Sequence, residues 1–156
     1  MRILLTGPPG SGKSTVGELL AAAFPLIHLD SYGSVKHVAC EKKWIVGTDD
    51  LPILENAVYE GISDNLKGVA TVLKPDVTIV LDRPVTEIQM VYAERGNDET
   101  NAFADEFRAL AGNTSEALRL IEKSKAFGRE MREAGFRVMH DYCHDICQGW
   151  QQRPYP

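Results

Sequence analysis

The sequence predicts an α/β fold in which helices cover both faces of a parallel sheet. Apolar, strand-like runs alternate along the chain with helical patterns, as expected for strands joined by crossover helices. The run at 76–82 is apolar and bounded by Pro75 and Pro84, which is typical of a strand buried on both faces. A glycine-rich loop also joins the first strand to the first helix. We therefore expect one domain over residues 1–156.

Five strands are expected, and they share short apolar runs that end at a polar residue or a turn. They lie at 2–6, 25–30, 56–61, 76–82 and 136–140. Residues 31–55 are expected to be irregular, with two short helical stretches around Trp44.

Helical spacing follows most of these strands. The expected helices lie at 15–23, 63–73, 84–95, 103–111 and 113–134, and a last short helix ends near Trp150. Pro84 suits a first helical turn, Asn113 with Glu116 three residues later is a capping pair, and Gly135 suits a left-handed exit. The tail Gln151–Pro156 is expected to be loose.

Composition is that of a single globular domain. The chain has 156 residues, of which 44% are hydrophobic and 25% charged, and its net charge of −5 gives no global attraction to nucleic acid or anionic lipid. No apolar run approaches the roughly 20 residues of a membrane span. The first strand leads directly into the glycine-rich loop, so no removable signal peptide is expected. Three cysteines without framework spacing predict reduced thiols and a cytoplasmic location.

The loop at 7–14 carries the most specific signal in the chain, because it fits G-x-x-x-x-G-K-[ST] between a strand and a helix. Glycines let backbone N–H groups turn toward phosphate oxygens, and the helix N-terminus adds partial positive charge. Lys13 would reach the β- and γ-phosphates of ATP, and the Ser14 hydroxyl would bind Mg²⁺. The alternative is a glycine turn with a surface lysine. The expected nucleotide-binding residues are Gly7, Pro8, Pro9, Gly10, Ser11, Gly12, Lys13, Ser14 and Thr15.

Carboxylates follow three of the expected strands, and the carboxyl ends of parallel strands share one edge. Asp30 is the candidate base that accepts a proton from an attacking hydroxyl, with helix capping as the alternative. Glu60 and Asp82 compete to support Mg²⁺, or serve as cap and turn residues. Arg83 lies at the same edge.

A polar segment at about 96–114 is a candidate lid. Arg95 stands at its base. If the protein transfers a phosphoryl group, Arg95 is expected to stabilise the negative charge that develops on that group. Arg108 and Arg119 flank its far side. Exposed helix-surface charge is the alternative interpretation for these arginines.

The acceptor, which is the molecule that would receive the phosphoryl group, is expected to bind to the segment at about 31–66. Tyr32, Lys36 and Trp44, together with Asp30, Glu60 and Arg83, are the candidate contacts. Lysines interleaved with aromatic residues suit a nucleotide or single-stranded nucleic acid, although solvated lysines around a core tryptophan are the alternative. No arginine occurs from Ser31 to Asp82, whereas a bound monophosphate commonly needs one. This absence favours a hydroxyl acceptor.

His140, Cys143, His144 and Cys147 would share one face of a continuous helix and resemble a zinc set. One helix cannot surround a tetrahedral ion, so thiols and histidines packed on the sheet are the favoured interpretation.

The chain resembles small P-loop kinases of the nucleoside and nucleotide kinase group. The resemblance rests on the glycine-rich loop and on Leu29-Asp30-Ser31-Tyr32, Trp44, Tyr59-Glu60-Gly61 and Leu81-Asp82-Arg83-Pro84. The chain is most similar to the adenylate-kinase-like topology modulation proteins and is also similar to small phage P-loop kinases. The resemblance implies a P-loop three-layer sandwich with a five-stranded parallel sheet of order 2-3-1-4-5 and a short lid. By this resemblance, Lys13 and Ser14 are expected to bind ATP and Mg²⁺, Asp30 to take part in catalysis, and Arg95 to stand at the base of the lid.

The expected function is ATP- and Mg²⁺-dependent transfer of the γ-phosphate to a hydroxyl of a nucleoside, nucleotide or nucleic-acid acceptor. A hydroxymethylated pyrimidine in phage-type DNA is included among these acceptors. One alternative is a (deoxy)nucleoside monophosphate kinase, and a second is an ATP-hydrolysing regulatory switch. We expect a monomer or homodimer without a membrane partner.

Overall fold

A parallel five-stranded sheet forms the centre of the protein. The computed structural model describes residues 1–152, with side chains through residue 148. The strands are β1 (Arg2–Thr6), β2 (Leu26–His28), β5 (Ala57–Glu60), β6 (Val77–Asp82) and β7 (Val138–Tyr142), arranged in the order β2-β5-β1-β6-β7. Two further strands, β3 (Gly33–Val38) and β4 (Glu41–Val46), form a separate antiparallel hairpin, which raises the numbers of the later sheet strands by two.

Helices cover both faces of this sheet. They are α1 (Lys13–Leu20), α2 (Leu66–Leu73), α3 (Val85–Gly96), α4 (Ala104–Ala111), α5 (Thr114–Glu133) and α6 (Cys143–Gln152). The α/β class expected from the sequence is therefore confirmed. No helix among residues 1–152 combines the length and apolar character needed to cross a membrane.

Neighbouring residues of β1 show how the two faces are filled, because successive side chains of a strand point in opposite directions. Leu4 joins a core cluster with Leu73 of α2 and Met131 of α5. Leu5 joins a second cluster with Val16 of α1 and Ile146 of α6. Both leucines are fully buried, which explains why the central strands read as continuous apolar runs.

The longest helix begins and ends as its sequence predicts. The Asn113 side chain accepts a 3.1 Å hydrogen bond from the backbone N–H of Glu116 at the start of α5. Gly135 follows the helix with a φ of +93°, a left-handed conformation that glycine adopts without a steric penalty.

The prediction for residues 31–55 is wrong, because β3 and β4 occupy much of this segment. The turn between them is made by Ala39 and Cys40, whose φ angles are +50° and +63°. Such turns usually carry asparagine or glycine, so the usual hairpin signal is missing from the sequence. Contacts from outside the hairpin hold it, since the Asp64 side chain accepts from Trp44 N at 2.7 Å and the Asn65 side chain accepts from Val46 N at 3.0 Å.

Several element boundaries also differ from the prediction: α1 covers Lys13–Leu20, not 15–23, and α2 begins at Leu66, not at residue 63. β2 ends at His28, and Asp30 lies in a 3₁₀ turn over Leu29–Tyr32. The last strand begins at Val138, two residues later than expected. The prediction of a loose tail concerns mainly residues 153–156, which lie outside the described part of the chain.

Candidate functional site

The loop between β1 and α1 has a conformation that only glycine tolerates easily. Gly10 and Gly12 have φ angles of +83° and +95°. A Cβ added to Gly12 would lie 2.7 Å from Cys143 Sγ, so α6 packs closely against the loop. Backbone conformation and close packing therefore both require glycine at position 12.

Lys13 is buried at the start of α1 and contacts the loop's own backbone. Its Nζ donates to the carbonyl oxygens of Gly7 at 3.2 Å and Pro8 at 3.0 Å. Burial lowers the pKa of Lys13 to about 8, with nearby Arg95 adding to the decrease, while the Glu60 and Asp30 carboxylates oppose it. Lys13 is thus electrostatically coupled to both carboxylates and to a second cation.

A cavity of about 900 Å³ opens beside the loop. Most of the sequence-predicted site residues line it: Gly7, Pro8, Pro9, Gly10, Gly12, Lys13, Ser14, Thr15, Asp30, Trp44, Glu60, Arg83 and Arg95. Four predicted residues, Ser11, Tyr32, Lys36 and Asp82, do not line it. Ser11 is buried within the loop, Tyr32 packs against the core, and Lys36 is exposed on the hairpin.

Asp30 is exposed on the cavity wall just beyond β2. The 3₁₀ turn that contains it is preceded by His28 at the capping position, so Asp30 does not cap that turn. Its carboxylate influences the pKa of Lys13, which links the two groups electrostatically across the cavity. The side chain is available to a ligand in this cavity.

Glu60 ends β5 and is buried, 7% exposed, on the same wall. One of its oxygens, Oε2, lies 2.8 Å from His28 Nδ1. His28 was not among the site residues expected from the sequence, and the parallel register of β2 and β5 pairs it with Glu60. This contact fixes the carboxylate in place and leaves Oε1 for another partner.

Asp82 makes its contacts outside the cavity. Its Oδ2 forms an ion pair with Lys125 Nζ at 3.2 Å, and its Oδ1 accepts from Arg83 N at 2.8 Å. Of the two carboxylates expected to support Mg²⁺, Glu60 is therefore the one on the cavity wall.

Among the described residues, two arginines line the cavity, and each is held by a different element. Arg83 Nη1 donates to Gly10 O at 2.9 Å, and its Nε contacts Glu87 at 3.1 Å. The Arg95 guanidinium lies 5.4 Å from the centre of the Phe107 ring in α4. Arg83 thus braces the glycine-rich loop, while Arg95 stands where α3 meets the predicted lid.

The other two arginines considered for the lid make surface or helix contacts. Arg108 donates to Gly96 O at 2.7 Å and pairs with Asp105. Arg119 pairs with Glu116 one turn earlier in α5. Neither lines the cavity.

The part of the cavity wall farther from the glycine-rich loop is formed by the hairpin, residues 62–67, α4 with the residues just before it, and α5. We call this part the α4–α5 side of the cavity. Its aromatic residues are Trp44, Phe103, Phe107 and Phe127. Its polar residues include Ser63, Asp64, Lys67, Asn101, Glu106, Lys123, Ser124 and Glu130. Apart from Trp44, these residues carry no sequence motif, and only the folded topology brings them together.

The hairpin and the lid segment meet above this side of the cavity. Lys42 of β4 donates to Ala102 O at 3.1 Å and pairs with Glu106 Oε1 at 2.9 Å. The Trp44 and Phe103 rings meet edge to face with centres 6.2 Å apart. These contacts connect the expected acceptor segment with the expected lid.

The histidine and cysteine residues near the C-terminus do not share one helix face. His140 lies in β7, while Cys143 and Cys147 lie in α6 with their sulfur atoms 4.0 Å apart. Burial raises the pKa of Cys143 to about 11, which makes it a poor nucleophile. Within residues 1–148, no three His, Cys, Asp or Glu side chains are grouped to hold a metal ion.

In comparisons with known proteins, neither a family model nor a curated protein matches this chain.

Proposed function

We propose that this protein is a P-loop phosphotransferase that moves the γ-phosphate of ATP to a hydroxyl acceptor in a Mg²⁺-dependent reaction. The observation that carries the proposal is that Lys13 and the Asp30 carboxylate line one cavity beside a glycine-rich loop. A cation for the phosphates and a base for the acceptor are the two groups that direct transfer needs.

We further infer that the fold is a P-loop three-layer sandwich with sheet order 2-3-1-4-5. The support for this inference is the G-x-x-x-x-G-K-S loop itself, which follows the central strand β1 and opens α1. Backbone N–H groups of such a loop and the helix N-terminus favour bound phosphate. Lys13 would exchange its contacts with Gly7 O and Pro8 O for phosphate oxygens.

The residues present fit a magnesium ion. The Ser14 hydroxyl is exposed at the end of the loop, and the Glu60 carboxylate lies on the same cavity wall. These are hard oxygen donors, and Mg²⁺ commonly completes its coordination with water and substrate phosphates. When bound, the ion would neutralise charge on the β- and γ-phosphates.

In the proposed reaction Asp30 accepts the proton of the acceptor hydroxyl. The hydroxyl oxygen forms a bond to the γ-phosphorus, and the bond to the β–γ bridging oxygen breaks as ADP leaves with the electron pair. Lys13 and Arg95 stabilise the negative charge that moves with the phosphoryl group. The contact between Lys42 and the lid segment supports exclusion of water, which would otherwise compete as acceptor.

The test is transfer of label from γ-labelled ATP across an acceptor panel. The panel contains nucleosides, nucleoside monophosphates, small hydroxy acids, and DNA with ordinary or hydroxymethylated bases. Label on a hydroxyl acceptor that is lost in both Lys13→Ala and Asp30→Asn supports the proposal. Label only on monophosphates would make the protein a nucleotide kinase, and ATP hydrolysis without any transfer would favour the regulatory switch.

A further inference from the structure

The α4–α5 side of the cavity has buried polar atoms that no described residue satisfies. The atoms Ser63 Oγ and Glu106 Oε2 are themselves buried and have no hydrogen-bond partner among the described residues, although the Glu106 side chain as a whole is 42% exposed. The other Glu106 oxygen, Oε1, pairs with Lys42. A buried carboxylate oxygen without a donor is costly, so this position favours a ligand N–H or O–H.

The charges on this side of the cavity are already balanced. Lys123 Nζ lies 3.3 Å from Asp64 Oδ1, Lys67 Nζ lies 3.9 Å from Glu130 Oε2, and Lys42 pairs with Glu106. Each of the three ammonium groups thus has a carboxylate partner. A phosphate placed among Asp64, Glu106 and Glu130 would face their carboxylates, since the Arg95 guanidinium beside Phe107 is assigned to the transferred phosphoryl group.

Aromatic surface completes the walls. Trp44 and Phe103 meet edge to face, and Phe107 and Phe127 add further ring surface. Flat apolar walls with a few fixed polar atoms are typical of pockets for planar heterocycles. The glycine-rich loop side, by contrast, has the cations Lys13, Arg83 and Arg95 for phosphate.

From these three observations we propose that the acceptor is an uncharged nitrogen heterocycle carrying the reactive hydroxyl, a free nucleoside in chemical class, and that Glu106 and Ser63 recognise its polar edge. This inference rests on the proposed phosphotransferase function. Glu106 Oε2 accepts a ring or exocyclic N–H, and Ser63 Oγ donates to or accepts from another polar atom of the heterocycle. A 5′-monophosphate is disfavoured because its phosphate would lie toward the γ-phosphate of ATP and the Asp30 carboxylate, and single-stranded DNA is disfavoured because its further phosphates would face Asp64, Glu106 and Glu130.

The experiment measures binding without turnover. The full-length protein is saturated with Mg²⁺ and a non-hydrolysable ATP analogue so that nucleosides cannot occupy the ATP site. Purine and pyrimidine nucleosides, their 5′-monophosphates and a single-stranded oligonucleotide are then titrated by calorimetry. Trp44 fluorescence in a Trp150→Phe background gives a second readout.

We expect at least one nucleoside to bind and its 5′-monophosphate to bind about tenfold more weakly, or weaker still. Glu106→Gln should weaken nucleoside binding by about tenfold or more, and Ser63→Ala by about threefold or more. Asp105→Asn is the matched control, because this neighbouring carboxylate is exposed and does not line the cavity. It should leave nucleoside binding within about twofold.

Lys42→Met separates recognition by Glu106 from closure of the cavity. It removes the same ion pair but leaves the Glu106 carboxylate in place, so a milder loss than that of Glu106→Gln is expected. Equal losses in the two variants would overturn the recognition role. Tighter binding of the monophosphate or the oligonucleotide, or no nucleoside binding to protein that holds the ATP analogue, would overturn the acceptor class.

The two proposals fail in different ways. Transfer to a monophosphate alone would leave a phosphotransferase but refute the uncharged acceptor. Nucleoside binding that depends on Glu106, without transfer from ATP, would keep the pocket assignment and refute the proposed function.

Discussion

The ammonium group of Lys13 donates a 3.0 Å hydrogen bond to the carbonyl oxygen of Pro8 in the same loop. The loop therefore satisfies its own lysine internally, at the position where the proposed function needs that lysine to contact phosphate. Burial keeps its pKa near 8, because desolvation disfavours the charged form.

This pKa predicts a pH dependence of stability. The folded protein releases the Lys13 proton near pH 8, whereas the unfolded chain holds it to the ordinary value of 10.5. Between these values the unfolded state binds more protons, so the free energy of unfolding should rise with pH, by up to about 3 kcal/mol from this group. Urea unfolding at about pH 7 and about pH 10 measures the rise, and Lys13→Met should abolish this part of it.

Lys36→Met is the control for that measurement, because Lys36 is exposed on the hairpin. An equal pH-dependent rise in wild type and Lys13→Met would refute the assignment to Lys13.

Asp30→Asn should separate chemistry from nucleotide binding. Loss of the base should lower kcat by about 100- to 10,000-fold. The Kd for ATP should change by about twofold or less, because Lys13 and the loop remain. Steady-state transfer and calorimetry measure the two quantities, with exposed Asp49→Asn as control. Full activity in Asp30→Asn would remove Asp30 from the mechanism.

Gly33→Ala should displace the Trp44 ring from the cavity wall. An added Cβ at Gly33 would lie 2.4 Å from Cζ2 of Trp44, which is impossible without movement. In a Trp150→Phe background, Trp44 emission should shift to longer wavelength, and nucleoside binding should weaken. Gly68→Ala is the matched control, since a Cβ there meets nothing within 4 Å. Unchanged Trp44 emission in Gly33→Ala would contradict the contact.

Substitutions in the hairpin turn should increase the stability of the protein. Ala39 and Cys40 hold left-handed conformations that cost non-glycine residues about 1 kcal/mol each. The double substitution Ala39→Asn with Cys40→Gly installs the residue pair that such turns prefer, and it should raise the free energy of unfolding by about 1 kcal/mol. Chemical denaturation measures the gain, and Ala39→Val should lower stability instead. A loss of stability in the double variant would show that the turn geometry is different.

The central sheet and its loop were predictable because their signals are local. β1, β5 and β6 read as apolar runs in the sequence, since both sheet faces are covered, and the glycine-rich loop has a fixed spacing. The hairpin was not predictable, because its turn residues lack the usual glycine or asparagine and its anchors, Asp64 and Asn65, lie about twenty residues away.

The residues of the cavity show the same contrast between local sequence signals and contacts that only the folded chain creates. Lys13, Asp30 and Glu60 follow strands that share one sheet edge, so their meeting could be inferred from chain order. Ser63 and Glu106 come from a loop and a lid helix, and nothing in their sequence spacing brings them together. Asp82 also ends a strand at this sheet edge but does not line the cavity, because its carboxylate forms an ion pair with Lys125 from α5.

The most direct measurement of the central claim is the partition of label between acceptor and water. The protein is given γ-labelled ATP, Mg²⁺ and a nucleoside that binds, and label is counted on the nucleoside and in inorganic phosphate. We predict that most label reaches the nucleoside hydroxyl and that Asp30→Asn abolishes this product. Label found only in inorganic phosphate, at a rate that no acceptor changes, would contradict the account.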